Sequence, residues 1–307
     1  MSTKTLAPSV VTDRDPKGMK FMAICAAAYN RAGLSQEEAQ RVNETPGLSG
    51  LVDRYIAENR VPNEFKGEEV PSKYGYLSGY KKPDEVYIQC KLLHVFFPDL
   101  GSAPAGTEDS RIVHQFGLGN IAGIPLAEGW FAIPNWMKNP QIFGKTYAEA
   151  VQKVLDMIKE ARGRLYNYRE GSIDEAHLRQ SARSLEAWKN IAEEQGNPDI
   201  LIVAGQFGLR HRGRSVRRAL AVMPKQGEFG FGAFAVGCMF LVHPNRLQNY
   251  DDLWIDCSGD EWSPDGDGKF SLAPYFGFRD DGVEFDACGV SNAGGYCGSA
   301  SGFFPQS

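Results

Sequence analysis

The sequence predicts an α+β fold: a helical N-terminal two-thirds with aromatic-rich loops, then a C-terminal, mostly antiparallel β-sheet region. Three observations carry this. Apolar residues recur at helical spacing through residues 146–196. After Pro198 the pattern changes to short apolar runs broken by turn residues. The 307 residues are 42% hydrophobic and 23% charged, with 18 Phe and 12 Tyr, the composition of an ordinary folded protein.

Residues 1–18 lack the apolar centre of a secretory signal and read as a flexible arm. Residues 19–60 form a helical region, in which Ser35 and Glu38 have the spacing of a capping box opening a second helix, and LVDRYIAENR after Gly47 and Ser49 reads as a third. Residues 61–145 are rich in Pro, Gly and aromatics, including Tyr74, Tyr76, Trp130 and Trp136, with one clear helix over 84–96. Such rings either pin loops onto a core or line a pocket for planar ligands or bases.

A second capping box, Thr146 with Glu149, opens a helix whose stripe is Tyr147, Ala150, Val151, Val154, Leu155 and Ile158. Ser172 and Glu175 repeat the signature ahead of Leu178, Ala182, Leu185, Trp188 and Ile191, so 146–196 reads as an antiparallel helical hairpin. Gly196 and Pro198 end it. Within the β-rich region, 197–307, strands are expected at 200–204, 219–223, 233–242, 253–257, 270–278 and 283–285. The links Asp265 to Gly268 and Arg279 to Gly282 have hairpin length and residues that accept positive φ.

A net charge of −5 argues against a protein that coats nucleic acid non-specifically, so any contact with nucleic acid is focal. The charge-free run Phe229 to Val242 is too short to span a bilayer and contains glycine, so no membrane partner is expected and a cytoplasmic location is. The six cysteines form no CxxC pair and read as free, buried thiols.

Against this acidic background, Gly205 to Ala219, GQFGLRHRGRSVRRA, concentrates Arg210, His211, Arg212, Arg214, Arg217 and Arg218. Guanidinium groups beside glycines after a β-prone run suit the forked recognition of phosphate or carboxylate. Arg210, Arg212 and Arg214 share a face if the chain is extended; Arg214, Arg217 and Arg218 share one if it is helical. Their mutual repulsion requires an anionic partner, either acids of the protein itself or an external phosphate. Gly208 to Ser215 approximates a P-loop, with Asp256 as a metal-holding acid, although Arg214 stands where the lysine belongs.

Asp256, Asp260 and Glu261 lie in a run of acids near His243 and are candidate ligands for Mg2+; the same run could instead be the internal partner of the arginines. The strings QFGLRHRGRSVRRA, YDDLWIDCSGDEW and GSASGFFPQ resemble those of a group of uncharacterised bacterial proteins, over most of the chain. That resemblance implies a bacterial origin and no activity. Three readings follow: a protein that binds a phosphate-bearing ligand, nucleic acid or nucleotide, through its arginines; a metal-dependent phosphodiesterase or nuclease; and a structural or assembly protein whose arginines are held in internal salt bridges.

Overall fold

The computed structural model describes residues 14, 16–44, 47, 50, 52, 56, 64–104, 107 and 127–304. The chain divides into two units, residues 1–60 and 61–307.

In the first unit, α1 (Pro16–Arg31) begins inside the expected arm, with proline in its first turn where no N–H is needed. The capping box forms as expected: Glu38 N–H donates to Ser35 Oγ at 3.3 Å and Ser35 N–H to Glu38 Oε2 at 2.9 Å. It opens α2 (Gln36–Glu44), which buries no residue. Most of the expected third helix and residues 1–13 lie outside the described residues.

The second unit is mixed α+β. In chain order it runs α3 (Val86–Phe96), β1 (Gly129–Pro134), α4 (Pro140–Phe143), α5 (Tyr147–Arg162), β2 (Leu165–Asn167), β3 (Leu178–Gln180), α6 (Ala182–Glu194), β4 (Ile200–Gln206), α7 (Val216–Val222) and β5 (Glu228–Gly230). It continues with α8 (Ala233–Val242), β6 (Trp254–Asp256), β7 (Asp260–Trp262), β8 (Leu272–Arg279), β9 (Gly282–Gly289), β10 (Cys297–Ser299) and β11 (Ser301–Phe303). A four-stranded antiparallel sheet has the order β1-β4-β11-β5. A seven-stranded sheet has the order β10-β6-β8-β7-β3, with β9 along β8 and β2 along β9. Among the described strand pairs of this sheet, β10–β6 and β2–β9 are parallel and the other four are antiparallel. Buried Ala300 joins β10 to β11 and so carries the chain from one sheet to the other.

Every residue of α8 is buried, and the helix packs against α3, α5 and β1. This corrects the strand expected at 233–242. An apolar run buried on all sides has no periodicity to separate helix from strand. The strand expected at 219–223 is also helical, because Ser215 Oγ accepts the Arg218 N–H at 3.1 Å and caps α7.

The capping box of α5 and its buried stripe form as read, but the partner helix begins late. Asp174 Oδ1 accepts the N–H groups of Ala176 and His177, Leu178 enters β3, and Ser181 caps α6. The helix α5 packs on α8, whereas α6 packs on β4 and β5, and between them the short strands β2 and β3 pair with β9 and β7 in place of the expected hairpin turn. Residues 129–134, expected as loop, form edge strand β1, whose terminal Pro134 suits an edge.

Candidate functional site

The arginine segment changes conformation twice. Leu209 to His211 make one 3-10 turn, Arg212 and Gly213 form a turn that leads into a single β-bridge at Arg214, and α7 begins at Val216. At Gly213 φ is +76°, and a Cβ there would lie 2.2 Å from the Val70 carbonyl, so glycine is required by both conformation and space. This lets residues 68–70 run antiparallel to 213–215: Val70 N–H donates to Gly213 O at 2.7 Å and Ser215 N–H to Glu68 O at 3.0 Å.

The guanidinium groups meet the protein's own oxygens. Arg217 forks onto both Glu68 oxygens; Arg218 donates to Glu69 Oε1 and to the Glu64 carbonyl; Arg214 Nε lies 3.5 Å from Glu69 Oε1. Arg210 Nε donates to Glu228 Oε1 at 2.6 Å. Arg212 is exposed, and its Nη1 donates to the Tyr74 carbonyl at 2.8 Å. His211 is fully buried between Glu228 Oε2 at 2.8 Å and Arg214 Nη1 at 3.0 Å. Burial lowers its pKa, and Arg214 needs a lone pair on Nδ1, so His211 is neutral and donates from Nε2. These carboxylates belong to residues 68, 69 and 228, not to the acidic run beyond residue 250 that sequence offered as a partner. The P-loop reading also meets a different fold here, since β4 lies in an antiparallel sheet and α7 has only 7 residues.

The acids beyond residue 250 disperse. Asp260 Oδ2 accepts the Ala233 N–H that opens α8 at 2.6 Å, and its Oδ1 accepts the Tyr147 hydroxyl at 2.8 Å. Glu261, on the opposite side of β7, pairs with Arg179 at 2.7 Å. Asp256 is buried in β6, and burial pushes its pKa up to about 7. Among the described residues no group of three or more His, Cys, Asp or Glu side chains is placed to hold a metal ion. Asp252 is a staple: its carboxylate accepts from the backbone of Leu77, Ser78, Gln248 and Asn249 at 2.7–3.0 Å, fixing residues 77–78 to the segment before β6.

That staple and the arginines act on the same stretch, residues 64–78, and this stretch carries Tyr74 to a cleft of about 360 Å3 on the outer face of the seven-stranded sheet. Strand alternation builds the cleft. Ile255, Phe276 and Phe285 point into the core, so Trp254, Tyr275 and Glu284 point out. The Trp254 indole rests on Gly277, where a Cβ would come within 2.8 Å of the ring. Trp254 lies nearly parallel to Tyr275, at 13° and 5.6 Å between centroids. Tyr296 and Tyr250 stand against it at 75° and 90°, 5.1 and 6.0 Å away, and Tyr74 meets Tyr296 edge-on at 6.4 Å. Tyr250 and Tyr296 are 59% and 46% exposed.

At one end Tyr275 donates its hydroxyl to Glu284 Oε1 at 2.7 Å, while buried Glu284 Oε2 has no hydrogen bond and lies 3.6 Å from Arg279 Nε. Of the aromatic loop residues singled out in sequence, Tyr74 lines the cleft, Tyr76 lies under the Arg246 guanidinium at 3.9 Å, and Trp130 and Trp136 pack against the core. The cleft's other rings were missed. Their signal was present: Trp254 and Tyr275 alternate with core residues along strands recognised as such.

Among the described residues no helix is long and apolar enough to cross a membrane. Compared with known protein families, with curated proteins and with solved structures, this chain matches none of them.

Proposed function

We propose that this is a ligand-binding protein whose site is the aromatic cleft between Tyr74, Tyr250, Trp254, Tyr275 and Tyr296. One observation carries the reading: five rings meet around a single cleft, two of them with about half their surface in water, at the end of which a buried carboxylate oxygen lacks a donor. Concave sites with aromatic walls and a few fixed polar groups are the common form of small-ligand pockets. On this reading the arginine segment is the clamp that holds residues 64–74 in place, and Arg212, bonded to the Tyr74 carbonyl, is its contact with the cleft.

The second reading, in which the arginines grip an external phosphate, draws support from exposed Arg212. The clamp is favoured because Arg210, Arg214, Arg217 and Arg218 already have carboxylate partners. The test is a screen of small ring compounds against the 15N-labelled full chain, read at the indole N–H signals. Hits are expected to move the Trp254 signal and leave that of core Trp188 in place; a screen in which nothing moves Trp254 overturns the proposal.

A further inference from the structure

We propose that the ligand of the aromatic cleft is a neutral saccharide, an inference that rests on the cleft being the binding site. Charge is the first argument. Arg279 and Glu284 are the charged residues of the lining, and they pair with each other at 3.6 Å. Arg279 also donates from Nη1 to the Tyr168 hydroxyl at 3.0 Å, and Glu284 Oε1 already holds the Tyr275 hydroxyl. A cationic ligand would enjoy the ring faces but would meet a carboxylate already neutralised and a guanidinium beside it. An anion would meet a guanidinium already paired. The charge pattern therefore selects an uncharged molecule.

Shape is the second argument. A flat heterocycle held in a sandwich needs two facing rings about 7 Å apart, twice the usual carbon contact distance. The parallel rings here, Trp254 and Tyr275, have centroids only 5.6 Å apart and leave no such slot. The cleft instead has a floor, the Trp254 indole backed by Gly277, and walls, Tyr250 and Tyr296, at steep angles to it. A pyranose ring has the matching form: a face of C–H bonds to lie on the indole and a rim of hydroxyls directed sideways.

The third argument is the orphaned acceptor. Glu284 Oε2 is buried without a hydrogen bond, and buried acceptors left unpaired are uncommon. A sugar hydroxyl would supply the missing donor, while Arg279 and the tyrosine hydroxyls offer donors to neighbouring sugar oxygens. Phenol and guanidinium groups around a ring platform thus match a ligand whose polar groups all lie at its edge.

The test uses the full chain and the Trp254 indole N–H signal, titrated separately with cellohexaose, maltohexaose, xylohexaose, hexa-N-acetylchitohexaose, tetramethylammonium and adenosine. The expected result is saturable movement of Trp254 with at least one saccharide, weakened about tenfold by Tyr250→Ala. Tyr250 is mostly exposed, so this variant should keep its fold, checked by unchanged signals from Trp130, Trp136, Trp188 and Trp262. Saturation by tetramethylammonium or adenosine with no response to any saccharide overturns the saccharide inference and leaves the cleft as a binding site. Silence of Trp254 with every probe overturns the inference, and a screen of ring compounds that does move it shows that the cleft reading survives.

Discussion

His211 and Glu228, both without solvent exposure, share a 2.8 Å hydrogen bond that joins the 3-10 turn after β4 to the edge strand β5. Glu228 also holds Arg210 and the Ser301 hydroxyl, so one buried carboxylate ties three parts of the four-stranded sheet together. Removing it takes the carboxylate from Arg210 and the acceptor from fully buried His211. Glu228→Ala should lower unfolding free energy by about 3–5 kcal/mol, read by urea denaturation, with Glu228→Gln less damaging because it keeps the packing. An unchanged midpoint for Glu228→Ala would rule out this role.

The same pair sets a pH response. Burial lowers the His211 pKa from 6.5; it would raise that of Glu228, but His211 and Arg210 outweigh it and hold Glu228 below 4.5. In both cases the unfolded chain binds protons more readily, so stability is present at neutral pH and lost as pH falls, first below about 6.5 and then below about 4.5. Unfolding midpoints from pH 7.5 to 5 should fall less steeply in His211→Gln than in the parent chain.

Asp256 acts in the opposite direction. Its pKa is raised from 3.8 to about 7, so the folded state binds the proton more readily and stability declines as pH rises toward 7. Asp256→Asn should therefore stabilise the protein at pH 8 by a few kcal/mol, at about 1.4 kcal/mol per pKa unit. The gain should vanish near pH 4, where the parent carboxyl is protonated. Thermal melts at the two pH values measure it, and equal gains at both would contradict a buried charge as the cause.

Local signals were legible in sequence and global placement was not. The boxes at Ser35–Glu38 and Thr146–Glu149 were readable because both partners sit within one turn. The Arg279–Gly282 hairpin was readable because its turn residues adjoin the strands, with Asp280 at φ 52°. The helix α8 was misread because its partners surround it, erasing periodicity. For the arginines, sequence correctly demanded an anion but could not name it: Glu68, Glu69 and Glu228 flank the segment only through tertiary pairing. The cleft draws Tyr74, Trp254 and Tyr296 from distant parts of the chain, and no local pattern announces such a meeting.

The clamp itself is testable at Arg218, whose side chain is 3% exposed. Arg218→Ala releases Glu69 and the Glu64 carbonyl and should cost about 1.5–3 kcal/mol, the range for hydrogen bonds to charged groups. Hydrogen exchange is the sharper readout. The amides of Val70 and Ser215, which bridge the two segments, should exchange faster in the variant, while those of α8 keep their protection. Unaltered exchange at Val70 and Ser215 would remove the arginines from the business of holding this loop.

Gly277 offers a way to disturb the cleft floor without deleting a ring. A Cβ at this position would stand 2.8 Å from Trp254 Cδ2, closer than packed carbons tolerate, and the backbone of β8 is fixed by β6 and β9 on either side. The indole is the part that must yield. Gly277→Ala should therefore tilt Trp254 off the sheet and cost about 1–3 kcal/mol of stability through overpacking. Its more telling effect is on binding: a ligand that moves the Trp254 indole signal in the parent chain should bind the variant more weakly, while the tyrosine walls remain. Binding that survives Gly277→Ala undiminished, in a folded variant whose Trp254 signal has shifted, would show that the indole is not the platform of the site.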